Sequence, residues 1–330
     1  MPEISIIIPV YNGAAWLDAA VDSVQAQSFP DWEMILVDDG STDASPAICD
    51  ARAEKDLRIR CIHKQNEGVA IARKTGTEAS SGRYLMFLDC DDTLNSGCLA
   101  AAAEAIRNSQ PDIVSFGFEE EQADGSVRLD RCAYQGAFSR KDIEESIFPW
   151  LIHDAQARYY CPSLCGSAFA RHVIDGNMIA DSRATIGEDG ACLIPSVYRA
   201  QHMVFLEECF YRYRYNAASA TKGRRLIPWD NAQLIAEHIA ARVDLNRFGF
   251  REQLDRKIVH DVFNICASRF SAGKGYRETA KEIVRETGRE FYRRAIKNAR
   301  FSGSPRASLM QFALKHHLVF LIYLYAKKDC

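Results

Sequence analysis

Three aspartates arrive almost together in the string YLMFLDCDDTL, where Asp89, Asp91 and Asp92 follow an apolar run that reads as a buried strand. Carboxylates this close repel one another unless a proton or a cation neutralises them. A hard divalent cation, held by one or two carboxylates and completed by a substrate's phosphates, is the usual chemical answer. Helix capping explains one such Asp and leaves the others unexplained. A second pair, Asp38 and Asp39, closes another apolar strand in ILVDDGSTD. Gly40 there suits a turn, and Ser41, Thr42 and Asp43 suit a helix start. A carboxylate before that turn can accept a hydrogen bond from a base N–H or a ribose hydroxyl. A third acidic group, Glu188 and Asp189 in TIGEDGACL, opens a helix, with Thr185 and Glu188 at capping-box spacing.

Other chemistry-bearing residues are more scattered. In CFYRYRY, alternation places Arg212 and Arg214 on one strand face and Tyr211, Tyr213 and Tyr215 on the other. With Lys222, Arg224 and Arg225 beyond them, the arginines suit either a solvated face or a clamp on a diphosphate. His63, His153, His202 and His260 are isolated in sequence and read as structural. Cys90 lies inside the acidic motif, where flanking charges raise a thiol pKa and disfavour a nucleophile.

The elements that must position these groups alternate. Ile4–Pro9, Trp32–Asp38, Arg58–His63 and Tyr84–Asp89 read as strands; residues 14–27, 44–54, 68–80 and 97–108 read as helices. That order predicts an α/β fold with a mostly parallel, Rossmann-like sheet covered by helices on both faces, and ligands bind beyond the carboxyl ends of such strands. The acidic groups stand at those ends. No GxGxxG follows strand 1 or strand 2, so the dinucleotide fingerprint is absent. Farther along come a strand at Ile113–Glu119, a hairpin-like stretch at EEQADGSVRLD, a helix near Arg140–His153 and a strand at CGSAFA. After Pro228 the pattern is helical.

Composition is that of a globular chain: 330 residues, 47% hydrophobic and 26% charged, with a net charge of −3 that predicts no nucleic-acid binding. The charge is unevenly placed. Residues 1–221 carry 19 basic against 33 acidic residues, whereas 222–330 carry 22 against 11. We expect a catalytic domain over 1–221, with a nucleotide-binding half (1–95) and an acceptor half (96–221), followed by a basic helical region over 222–330. Eleven scattered cysteines, without CxxC or zinc-like spacing, fit free thiols in a reducing cytosol. The opening MPEISIIIPVYNG reads as a first strand and not as a targeting signal. The apolar run LVFLIYLYA, with Leu309, Phe312, Leu318, Val319, Phe320, Ile322 and Tyr323 nearby and Lys315, Lys327 and Lys328 flanking, is too short to span a bilayer. Through 305–330 it suits either an anionic membrane surface, on the inner face of the plasma membrane, or packing against the core or a second subunit as a homodimer.

Taken in order, SIIIPVYNG, ILVDDGSTD, NEGVAIARKTG, GRYLMFLDCDD, GED and YRYRYNAASAT resemble the family 2 glycosyltransferases of the GT-A fold, of the bacterial surface-polysaccharide type, over about residues 3–221. The resemblance implies a nucleotide-sugar donor such as a UDP-sugar, a Mn²⁺ or Mg²⁺ ion on an Asp-x-Asp motif, and inversion at the anomeric carbon. It implies a glycan or polyprenyl-linked saccharide as acceptor. By the same resemblance Pro9 and Tyr11 lie against the nucleobase, Asp39 accepts its N–H, and Arg73 approaches the base or diphosphate. Asp89 binds ribose or orients the site, Asp91 ligates the metal with Asp92 as the alternative ligand, and Asp189 is the general base. Lys74 stands where many relatives have Asn, and Ser167 stands where they have a basic residue. The string FLDCDDTL also resembles the first motif of haloacid-dehalogenase-type phosphatases, with Asp89 as nucleophile, but that leaves VDDGSTD unexplained.

Overall fold

The run ISIIIPV forms β1 (Ile4–Val10), and every residue in it is buried. β-Branched side chains on both faces suit a strand enclosed by neighbours on either side. It is followed by α1 (Leu17–Gln25), β2 (Trp32–Asp39), α2 (Ser45–Lys55), β3 (Ile59–Lys64), α3 (Val69–Ala79) and β4 (Tyr84–Phe87). Next come β5 (Thr93–Leu94), α4 (Cys98–Ser109), β6 (Ile113–Glu121), β7 (Val127–Asp130), β8 (Gly136–Ser139) and the short α5 (Arg140–Asp142). β9 (Ser167–Ala170), α6 (Arg171–Ile174), α7 (Glu188–Arg199) and the long β10 (His202–Tyr213) complete the sheet. This computed structural model describes residues 1–160, 163–216, 226–271 and 275–328. Lys222, Arg224 and Arg225, together with the last part of YRYRYNAASAT, lie outside the described residues.

The ten strands form one sheet with the main order β3-β2-β1-β4-β9-β6-β10-β5. Its first half is parallel, with Ile7 paired to Ile35 on β2 and to Phe87 on β4. Farther on, β9 is inserted antiparallel between β4 and β6, while β6 and β10 are parallel. The chain therefore has the α/β architecture expected, with β7 closing the expected hairpin against β6. The helix expected near Arg140–His153 is broken: three α-helical residues pass into a π turn at Ile143–Ile147 and a 3-10 turn at Phe148–Trp150. Pro149 lacks the N–H that a continuing helix needs.

Close helix–sheet packing comes from Gly76 on α3, where a Cβ would stand 2.4 Å from Ile7 Cγ2. The absence of that Cβ lets α3 lie directly on β1, and Arg73, one turn earlier on the same face, is thereby aimed at the end of β4.

By contacts the chain divides into two units. The first holds Met1–Ile143, Pro162–Ser182 and Pro195–Asn216, and includes all ten strands; the second holds Glu144–Cys161, Arg183–Ile194 and Ala217–Cys330. Segments 144–161 and 183–194 thus group with the C-terminal helices and not with the sheet. In the second unit α8 (Asn231–Ala240), α10 (Tyr276–Thr287), α11 (Glu290–Asn298), α12 (Pro305–Lys315) and α13 (Val319–Lys328) surround α9 (Phe250–Ser268) or pack on its neighbours. Gln253 of α9 is buried there; its Oε1 accepts from the N–H groups of Ile152 and His153, and its amide donates to Phe148 O. These bonds satisfy backbone groups that the broken helix leaves open.

Candidate active site

Because β1, β2 and β4 run parallel and in register, their carboxyl ends lie along one edge of the first unit. Pro9 is buried within β1 opposite Val37, and Tyr11 just beyond it is exposed. Asn12, at φ 51°, turns the chain, and its Oδ1 accepts from Thr42 N at 2.8 Å. Asn12 N donates to Ser41 Oγ and Gly13 N to Ser45 Oγ, at 3.0 and 2.9 Å. The polar residues after β2 therefore do more than start α2: they tie its turn to the loop after β1.

Asp39 is 2% exposed. Its Oδ1 accepts from Lys64 Nζ at 2.9 Å and Glu67 N at 3.0 Å, and its Oδ2 from Gly68 N at 2.7 Å. A carboxylate so placed holds the loop between β3 and α3. Gly40, at φ 73°, makes the adjoining turn, and a Cβ there would meet Asn66 N at 2.8 Å.

The three aspartates of the strongest motif have separated roles. Arg73 is buried, and its Nη2 donates to Asp89 Oδ1 at 2.8 Å, so its guanidinium holds Asp89. Asp92 is also buried: Oδ2 accepts from Tyr211 Oη at 2.6 Å and Oδ1 from Arg214 N at 3.0 Å. Burial pushes its pKa up to about 7, with the nearby charges of Asp89 and Asp91 acting in the same direction against the two hydrogen bonds. Asp92 is 1% exposed and so less accessible to an ion than Asp91. Asp91 differs. It is half-buried, Asn216 Nδ2 donates to its Oδ2 at 3.1 Å, and no described residue takes Oδ1.

Tyr211 and Arg214 join this motif to β10. Asp89 N donates to Tyr211 Oη at 3.3 Å, so one phenol bridges two of the acids. Arg214 Nε donates to Asp91 O, its Nη2 donates to Trp16 O, and its guanidinium lies 5.0 Å from the Trp16 ring centre. This side chain is a brace between α1 and the acidic loop, a role that alternation along YRYR did not suggest. Cys90 has its thiol pKa pushed up to about 12, mainly by burial and only secondarily by the flanking carboxylates. Gly13 makes room for it, since a Cβ there would lie 2.7 Å from Cys90 Sγ.

Asp189 belongs to the second unit, half-buried in the first turn of α7. The turn before it is held from α8: Asn231 Oδ1 accepts from Thr185 N and Ile186 N, and Asn231 Nδ2 donates to Ile186 O. The Thr185 hydroxyl also turns to Asn231, at 3.4 Å. Asn231 is thus a positioning residue that sequence spacing could not reveal, being 42 positions after the acid it supports.

A parallel-to-mixed sheet with an acidic loop at the carboxyl end of its fourth strand is the arrangement of a GT-A glycosyltransferase. Residues 5–167 match the model of the family described as Glycosyl transferase family 2, and the chain belongs to that family. It is 28% identical over 355 aligned positions to the uncharacterized glycosyltransferase EpsJ of Bacillus subtilis, covering 98% of this chain and 96% of EpsJ. Its fold matches S. aureus TarS 1–349 in complex with UDP-GlcNAc at a TM-score of 0.69 and 16% identity, covering 99% of this chain and 91% of the other. It also matches the mannosyltransferase PcManGT of Pyrobaculum calidifontis, in complex with GDP-Man and Mn²⁺, at a TM-score of 0.51 and 16% identity, over 98% and 87% of the two chains.

Proposed function

We propose that the enzyme transfers a sugar, with inversion, from a UDP-sugar to a hydroxyl of a glycan or polyprenyl-linked saccharide in bacterial surface polysaccharide synthesis. The observation that carries the donor side of this reading is the contrast between Asp91 and Asp92. Asp92 has both oxygens hydrogen-bonded inside the protein, while no described residue takes Asp91 Oδ1 at the carboxyl edge of the sheet. Asp91 is the residue that fits a hard cation such as Mn²⁺ or Mg²⁺, whose remaining positions a diphosphate would fill. Such an ion, when bound, neutralises the charge that develops on a leaving diphosphate. That PcManGT holds Mn²⁺ with a nucleotide sugar supports the same assignment.

In this reading Asp89, fixed by Arg73, faces the ribose or the sugar, and exposed Tyr11 stacks on the base beside Pro9. Asp39 accepts the base N–H and also holds the 65–68 loop. Asp189 takes the proton from the acceptor hydroxyl. The UDP-GlcNAc complex of TarS and the glycosyltransferase relatives support the donor class. No described helix is long and apolar enough to cross a membrane. The enzyme works from the cytoplasm, and the exposed apolar residues of α12 and α13 bring it to the inner membrane face.

The test is a calorimetric titration of UDP into the full chain with Mn²⁺ and again with EDTA, repeated for Asp91→Asn. Metal-dependent binding that is lost in the variant supports the reading. Equal affinity in both buffers removes the metal, and metal-dependent binding that survives Asp91→Asn but not Asp92→Asn moves the ligand to Asp92.

A further inference from the structure

At the outer edge of the sheet, away from the acidic loop, a second group of ligating atoms converges. Among the described residues, Asp50, Cys61 and His63 form a cluster whose ligand atoms all lie within 4.8 Å of one another. Cys61 and His63 alternate onto one face of the edge strand β3, and Asp50 comes from α2, which packs on that strand. His63 is therefore not isolated in space. Asp50 was hidden from it in sequence because it stands on another element, α2.

The imidazole is oriented from behind. His63 Nδ1 lies 2.8 Å from Oδ2 of Asp38, a buried carboxylate whose Oδ1 is fixed by Ser41 N at 3.0 Å. With its Nδ1 proton committed to Asp38, the ring turns Nε2 outward. Nε2 then lies 3.4 Å from Cys61 Sγ and 3.0 Å from Asp50 Oδ1. One N–H cannot point well at two acceptors, whereas a cation between the three atoms satisfies all of them. In tetrahedral coordination with metal–sulfur and metal–nitrogen distances of about 2.3 and 2.0 Å, ligand atoms stand roughly 3.3–3.8 Å apart. The two observed separations are close to that range. A carboxylate behind a ligating histidine is also the usual supporting arrangement of such sites.

We propose that Asp50, Cys61 and His63 form a Zn²⁺ site that staples α2 to the edge strand β3. The donor set of one sulfur, one nitrogen and one oxygen selects a borderline-soft ion, in contrast to the all-oxygen preference of Mn²⁺ or Mg²⁺. The site opens to solvent through Asp50, which is exposed, leaving the fourth position to water. Its consequence reaches the nucleotide half, because Asp38, the partner of His63, precedes Asp39, and Lys64 follows His63.

The test uses the full chain, reduced, desalted and loaded with Co²⁺ as a spectroscopic stand-in, then with Zn²⁺. One equivalent of Co²⁺ giving a thiolate-to-metal charge-transfer band, displaced by Zn²⁺, is expected. Cys61→Ser should abolish the band, and Asp38→Asn should weaken Zn²⁺ binding about 10–100-fold while leaving the band's energy in place. Asp91→Asn should retain both, which separates this site from the catalytic one. Circular dichroism checks that Cys61→Ser is folded, and the wild-type band and its displacement stand whether or not it is. Absence of the band in the wild type, or its persistence in folded Cys61→Ser, overturns the proposal.

Discussion

Tyr211 Oη donates to Asp92 Oδ2 across 2.6 Å in the interior of the first unit, and accepts from Asp89 N on its other side. The phenol is fully buried and its pKa lies well above the ordinary value, chiefly through desolvation, so it remains a donor. Tyr211→Phe strips a buried carboxyl of its partner while changing little volume. We expect a loss of about 1–3 kcal/mol in stability, read as a lower urea midpoint. Metal-dependent UDP affinity should change far less than in Asp91→Asn, which in turn should leave the midpoint nearly unmoved. If Tyr211→Phe abolishes UDP binding at full stability, Asp92 acts on the ligand directly.

Asp189→Asn should leave UDP affinity nearly intact and lower kcat by roughly 10²–10⁴-fold, the range typical of a lost general base. The Asn231 brace suggests a paired measurement. Asn231→Ala frees the turn before α7 without touching the carboxylate, so kcat should fall by less than in Asp189→Asn and the pH profile should keep its shape. Full turnover in Asp189→Asn would place the base elsewhere, with Glu188 next to be tested.

The strand ends that carry Asp39, Asp89 and Asp91 were legible because a parallel strand buried on both faces is a continuous apolar run, and its polar terminus stands out. What each acid does was not legible. Asp92 and Tyr211 are 119 positions apart, and only the return of β10 beside the acidic loop joins them. The resemblance put Arg73 near the base or diphosphate, and its bond to Asp89 was not legible, because it depends on Gly76 letting α3 lie close to β1. The helix expected through Trp150 followed a fair apolar period, yet Pro149 and the Gln253 side chain together favour tighter turns. The inserted strand β9 was seen as extended but its antiparallel place between β4 and β6 is a tertiary matter with no local signature.

The second unit contains an acid-sensitive site. His153 is buried among Tyr159, His260 and Phe301. Burial first, and then the nearby His260, lowers its pKa to about 4. His260 is lowered as well, again by burial. Since the folded pKa lies below the unfolded value of about 6.5, the native state binds fewer protons than the unfolded chain at intermediate pH. The stabilisation is complete above about pH 6.5 and is lost as pH falls toward 4, by an amount on the order of 2–3 kcal/mol for His153. The Tm of the wild type should therefore drop between pH 7 and 5 by more than that of His153→Phe. Equal drops would assign the acid sensitivity to other groups.

The proposed membrane contact of the C-terminal helices can be tested on named residues. Region 305–330 holds two helices, α12 and α13, with the quoted apolar run in α13 and a turn at His317, φ 51°, before it. Ala313, Leu314, Val319 and Ile322 are buried in the second unit, whereas Leu309, Phe312, Leu318, Phe320 and Leu324 are exposed. One set packs on the protein and the other faces out. An open cavity of about 600 Å³ lies beside the exposed set, lined by Tyr276, Val284, Leu318 and Phe320 with Lys281 and Arg285. Lysine and arginine next to apolar side chains are what an anionic interface attracts, at about 1 kcal/mol per basic group close to the surface. Deleting 305–330 would also remove buried Leu314 and Ile322, so surface variants are the better probe. We expect the full chain to sediment with anionic vesicles at low salt and to be released as salt rises, because charge attraction is screened. The double variant Phe312→Ser, Phe320→Ser should weaken vesicle binding by about tenfold or more, since inserting one such side chain contributes about 1.5–3 kcal/mol, and should leave UDP affinity unchanged. Sedimentation equal to wild type in that variant, or none for the wild type at low salt, would make this face an ordinary protein surface and leave the acceptor to be met in solution.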